Sequence, residues 1–358
     1  CIKPVRFKVF GFLSVYKEAP RIQTLIPVRV GSKNDPAETT GLAHYLEHLM
    51  FKGTRQFGTT DYMAEKPLLD EIERQFEAYR RTREKNDRDS IYRIIDSLSY
   101  AASGYAIPNE YDKMMKFIGS QGTNAATSND YTVYIEDIPA NQLENWAIVQ
   151  ADRFANPVFR IFHTELETVY EEKNRSLSSD SRKASEAMLN ALFPNHPYGQ
   201  QTTLGSVEHL KSPSLTNIRK FFDTYYVPNN MAVCLAGDFD YDEAIAIIDK
   251  YFGQLKAKEV PHFTIVKEKP IEVPVVREVT GHEAGFVNVA FRLDLPASHR
   301  DLYIAEMLDH ILSNGRCGLM DLNLNQRHLA ARASSYLYGL CDNSAYVLSG
   351  RPNEGQSL

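Results

Sequence analysis

The chain has 358 residues, 43% hydrophobic and 24% charged, with a formal net charge of −6. That length suffices for two or more α/β units with sizeable cores, and no apolar run approaches a membrane span. The acidic balance excludes nucleic acid as the main partner, because holding phosphate needs a basic surface.

Residues 5–15 and 24–30 are β-prone with alternating character and predict two strands joined as a hairpin. A turn-rich stretch at 31–36 follows, after which Thr39 or Thr40 is expected to cap a helix. In that helix Leu42, Leu46, Leu49 and Met50 recur at helical spacing and define a stripe for the core. His44, Glu47 and His48 fall together on the opposite side. Two imidazoles one turn apart can hold one metal ion, and a carboxylate on their face is placed to handle a proton. The order His44-x-x-Glu47-His48 is the inverted zinc-peptidase signature, so the expected cofactor is Zn2+. Gly53 is expected to end this segment as a left-handed cap.

Asp61 can cap a second helix, with Pro67 opening or kinking its continuation. Leu68, Leu69, Ile72, Phe76 and Tyr79 keep helical period, and Ile91, Ile94, Ile95 and Leu98 resume it after a mixed-charge run. A helical hairpin is therefore expected near 67–105, and a further helix near 109–118. Residues 121–130 are small and polar and feed a strong strand at 131–135. Such a strand leaves room for an extended peptide beside its backbone, although an ordinary loop and strand fit the local sequence as well. Pro139 opens a helix whose Leu143, Trp146, Ala147 and Phe154 are plain core. Thr164 can cap the next, with Leu166, Val169 and Tyr170 as its apolar side. Glu165 and Glu172 share one face of it, about 10 Å apart along the axis. One metal ion could take either acid directly and leave the other in an outer shell, yet a solvated acidic helix carries the same pattern.

Helices near 185–193 and 214–225, a buried strand at 231–236 and a helix at 241–252 complete a first domain, 1–255. His196, in a turn, reads as structural. The Lys-, Glu- and Pro-rich stretch 256–273 has linker composition. A strand at 286–293, a helix at 300–312, a second helical segment and strands near 332–350 loosely repeat the first unit and form a second domain, 274–358. The predicted class is α+β: two related α/β subunits, each a mixed, largely antiparallel sheet flanked by helices. Cys1, Cys234, Cys317 and Cys341 lack metal or disulfide spacing and read as buried thiols or, for Cys1, an exposed end. A start on Cys1 rather than Met suggests a chain processed or cut from something longer.

Over nearly its whole length the chain resembles the pitrilysin, insulin-degrading enzyme and mitochondrial processing peptidase family of zinc metallopeptidases. The resemblance rests on His44-x-x-Glu47-His48, Gly53-Thr54, Asn124-Ala125-x-Thr127, the spaced acids Glu165 and Glu172, His196-Pro197-Tyr198-Gly199 and Gly237-Asp238-Phe239. It implies zinc ligands His44, His48 and Glu172, a general base Glu47, and an outer-shell acid Glu165. The implied substrate is an extended peptide added as a strand beside 131–135, touching Asn124, Ala125 and Tyr131. Two departures stand out. The interval from His48 to Glu172 is longer than in most relatives, an excess that the hairpin near 67–105 accounts for. The family also folds as two homologous halves that close like a clam-shell, the second supplying an Arg and a Tyr seven residues apart. No Arg after residue 300 has a Tyr seven positions on. The chain thus resembles one zinc-bearing half, with a second half as its expected partner. The alternative to an active endopeptidase is a noncatalytic or half-enzyme subunit that binds zinc and peptide and needs that partner for cleavage.

Overall fold

A computed structural model describes residues 3–6, 9–265 and 267–358; Cys1 lies outside them. The chain divides into two compact units, Cys1–Asn174 with Gln201–Phe263, and Arg175–Gln200 with Thr264–Leu358. The sequence reading kept residues 175–200 in the first domain by continuity of chain. Instead Leu192, Phe193 and Tyr198 share a buried cluster with Leu340 and Ala345, and that packing sets the boundary.

In the first unit the strands β1 (Lys3–Arg6), β2 (Phe10–Val15), β3 (Arg21–Val28), β4 (Gln121–Thr127), β5 (Thr132–Pro139) and β6 (Ala232–Gly237) form one sheet in the order β1-β2-β6-β3-β5-β4. Only β2 and β6 run parallel. Period-2 alternation in β5 buries Thr132, Tyr134, Glu136 and Ile138 on one face, as expected of a half-covered sheet. Two expectations are corrected. Strands 5–15 and 24–30 do not pair as a hairpin: β6 lies between β2 and β3, and the antiparallel neighbour of β2 is β1. Most of the small, polar stretch at 121–130 is itself a strand. It takes the sheet edge, so β5 is interior and its backbone is already paired on both sides.

The helices, in chain order, begin with α1 (Leu42–Leu49), α2 (Tyr62–Arg81), α3 (Lys85–Ser103), α4 (Glu110–Phe117), α5 (Leu143–Ala155) and α6 (Phe162–Ser178). Then come α7 (Asp180–Leu192), α8 (Pro197–Gln200), α9 (Val207–Leu210), α10 (Leu215–Tyr225), α11 (Tyr241–Phe252) and α12 (Arg300–Leu312). The expected helical hairpin is α2 and α3. Asp61 caps α2 by accepting the Ala64 N–H, and Pro67 lies inside that helix. The stripe Leu42, Leu46, Leu49 and Met50 is buried in the first unit's core beside Trp146 and Phe154.

The second unit holds α7, α8, α12 and an antiparallel sheet of β7 (Val287–Leu293), β8 (Arg332–Gly339) and β9 (Ser344–Arg351), with β9 central. His196 is buried there, its Nε2 lying 3.2 Å from Asp342 Oδ2. The cysteines depart from expectation: Cys317 and Cys341 are exposed and Cys234 is half-buried. Among the described residues no helix is long and apolar enough to cross a membrane.

Candidate metal centre

Helix α1 is held at its start by an acid seven residues back, not by a threonine. Its N-cap is Gly41 at φ 89°, without a side-chain cap of its own. The Asp35 carboxylate accepts the N–H of Gly41 at 2.7 Å and of Ala43 at 2.9 Å. Thr40 is engaged elsewhere, with His209 and the Ser206 N–H, and Thr39 with Asn217. Both expected caps are thereby corrected. With the leucine stripe buried, His44 and His48 are turned to the half-buried side of the helix.

Tyr45 ties α1 to the start of α6: its hydroxyl donates to the Phe162 carbonyl at 2.6 Å, and its ring stacks on Phe162 at 4.9 Å. Ile161, just before α6, has φ 56°, a backbone region β-branched residues rarely occupy. From that entry α6 buries Val169 and turns Glu165 and Glu172 toward α1. Glu167 and Glu171 are exposed instead.

The ring Nε2 of His44 lies 3.4 Å from Glu172 Oε2, and His48 Nε2 lies 3.6 Å from the same oxygen. One ligand atom from each of the three residues lies within 4.8 Å of the others, the one such metal-capable group among the described residues. Donors about 2.0–2.2 Å from a tetrahedral zinc sit roughly 3.3–3.6 Å from one another. The donor chemistry, two imidazole nitrogens and one carboxylate oxygen, is also a set that suits zinc and leaves a fourth position open. The residues fit the ion.

Around them stand three further groups. Glu165 takes His48 Nδ1 with Oε1 at 2.8 Å and Lys52 Nζ with Oε2 at 2.6 Å. Such a contact on Nδ1 leaves Nε2 to face the ion. Burial would raise the Glu165 pKa, but hydrogen bonds from His48 and Lys52 carry it below the usual glutamate value. For His48, burial acts downward, and the surrounding acids Glu165, Glu172 and Glu47 outweigh it and raise the imidazole. Glu47 is buried, and that burial raises its carboxyl against the Thr127 hydrogen bond and His48, with Glu172 adding to the rise. Thr127 Oγ1 donates to Glu47 Oε2. A carboxylate raised toward neutrality is suited to general-base work.

Thr127 reaches Glu47 because β4 alternates. Thr123, Ala125 and Thr127 share the inner, half-buried face, while Asn124 and Ala126 point outward and are exposed. Tyr131, 50% exposed, precedes β5 and is not on the edge strand. Sequence reasoning gives no role to Lys52, or to Thr127 beyond its place in a motif. The motif Asn124-Ala125-x-Thr127 was the available signal for the latter; nothing local pointed to the former.

Residues 12–82, which include both histidines and Glu47, match the family described as "Insulinase (Peptidase family M16)", and residues 214–354 match "Peptidase M16 inactive domain". The chain is 24% identical over 344 residues to the zinc protease PqqE of Helicobacter pylori, covering 93% of this chain and 65% of that relative. It therefore spans just under two thirds of that relative's length. Among solved structures, a protease from Helicobacter pylori superposes with a TM-score of 0.72 at 22% identity, over 99% of this chain and 75% of that one. Pitrilysin superposes at 0.69 with 19% identity, over 97% of this chain and 33% of that one. At these identities the likeness is one of fold.

Proposed function

The chain belongs to the insulinase and pitrilysin family of zinc peptidases, and from that premise we propose that it is a zinc-dependent endopeptidase acting on extended or unfolded peptides. The observation that carries this reading is the convergence of His44 Nε2 and His48 Nε2 on one oxygen of Glu172, at 3.4 and 3.6 Å, beside the buried Glu47.

His44, His48 and Glu172 are the proposed ligands. Zinc bound there supplies Lewis acidity, which makes water nucleophilic near neutral pH and polarises a peptide carbonyl. Glu47 takes the proton of the attacking water on a carboxylate oxygen and delivers it to the leaving amine. Thr127, donating to Glu47 Oε2, directs the other oxygen toward the reacting atoms. Glu165 holds the His48 ring through Nδ1. The peptide is expected to pair with β4, the edge strand next to Glu47, rather than beside residues 131–135 as the sequence suggested. Asn124 and Ala125 lie on that strand and remain the proposed peptide contacts, whereas Tyr131 lies off it.

A second reading, a half-enzyme that binds zinc and peptide but needs a partner half, is favoured by one observation: residues 214–354 match a domain described as inactive. Metal removal tests the proposal. The chain is expected to bind zinc through its three ligands, to cleave an unstructured peptide, to lose that activity on chelation and to regain it with zinc. Undiminished cleavage by the stripped protein would contradict it, and zinc binding without cleavage would leave the half-enzyme.

A further inference from the structure

The segment leaving α1, residues 52–57, is fixed from beneath by a buried guanidinium. Arg160 Nη1 donates to the carbonyls of Lys52 at 2.7 Å and Phe57 at 3.2 Å, and Nη2 to that of Thr54 at 2.7 Å. Its Nε and Nη2 meet the two oxygens of Glu65 on α2 at 2.9 and 3.2 Å. All five donors of the group are used, and neither partner is more than 1% exposed. Gly53 and Gly58, at φ 101° and 85°, make the room. A Cβ on either would stand 2.7 or 2.6 Å from Arg160 Nη1.

With its backbone held in this way, Lys52 sends its ammonium to Glu165 Oε2 at 2.6 Å. The other oxygen of Glu165 meets His48 Nδ1 at 2.8 Å. A carboxylate with one partner can rotate about its last bond, whereas one with a fixed partner at each oxygen is set in plane and position. We propose that Lys52 is a positioning residue for the metal centre: it pins Glu165 so that Glu165 in turn sets the His48 ring with Nε2 facing the ion. The inference rests on the proposed zinc site. The work of the side chain is separable from that of the backbone, because the Lys52 carbonyl, not its ammonium, answers to Arg160.

The test is zinc affinity, measured by chelator competition on the full chain for the wild type, Lys52→Met, Lys52→Arg and Glu165→Gln. Loss of an outer partner weakens metal binding about 10–100-fold. Lys52→Met, one step further out, is expected near the lower figure, with Lys52→Arg restoring most of the affinity. The denaturation midpoint of the metal-free protein should be the same for all Lys52 forms. Wild-type affinity in Lys52→Met, with weakened binding in Glu165→Gln, would overturn the inference while leaving the zinc site standing. A loss of affinity matched by a loss of metal-free stability, unrescued by Lys52→Arg, would overturn it as a general structural effect. No zinc binding by the wild type would overturn both this inference and the proposed function.

Discussion

At Glu47, burial raises the carboxyl pKa while the Thr127 hydroxyl opposes the rise and fixes one oxygen. A hydrogen bond to a charged group contributes about 1.5–3 kcal/mol. Thr127→Val should therefore lower turnover at least about 10-fold. Zinc content should not change, and Thr127→Ser should keep most of the activity. Wild-type turnover in the valine variant would show that Glu47 needs no such support. The histidines and Glu47 were legible in the sequence because spacing within one helix is local, so three residues on one face can be read from a period. Glu165 and Lys52 were not equally legible. Their contact joins α6 to the end of α1, and no periodicity reports on a pair so far apart in the chain.

At the scale of elements, α1 is positioned from both ends, by Asp35 at its start and by the Arg160–Glu65 pair under the segment that follows it. Removing one member of a buried, hydrogen-bonded ion pair costs about 3–5 kcal/mol, because the other is left uncompensated. Arg160→Met should lower the unfolding free energy obtained from urea denaturation by an amount in that range, and Glu65→Gln added to it should recover part of the loss. A midpoint within error of wild type for Arg160→Met would contradict the assigned anchoring. Helices α11 and α12 were readable to the residue, since their hydrogen bonds close within the segment. Sheet order was not. Phe10 of β2 pairs with Ala232 of β6, and such a partner leaves no trace in the local alternation of either strand. The same blindness hid residues 121–127 as the edge strand of the sheet, because which strand forms an edge is decided by the whole sheet.

On the scale of the whole molecule, the division between Phe263 and Thr264 falls within the Lys-, Glu- and Pro-rich stretch 256–273, whereas composition did not mark the other two division points, since residues 175–200 join the second unit by packing. The proposed catalytic groups Glu47, Thr127, His44, His48 and Glu172 all belong to the first unit. Because the chain spans 65% of the length of the Helicobacter pylori relative, cleavage by this chain alone is the informative quantity. The measurement is hydrolysis of a quenched, unstructured peptide by the wild type and by Glu47→Gln, prepared with equal zinc content. The expected result is cleavage by the wild type and a loss of turnover in Glu47→Gln with zinc retained. Equal turnover by the two proteins would contradict the assignment of Glu47 as the base. Silence from both, with zinc bound, would contradict an endopeptidase complete within these residues.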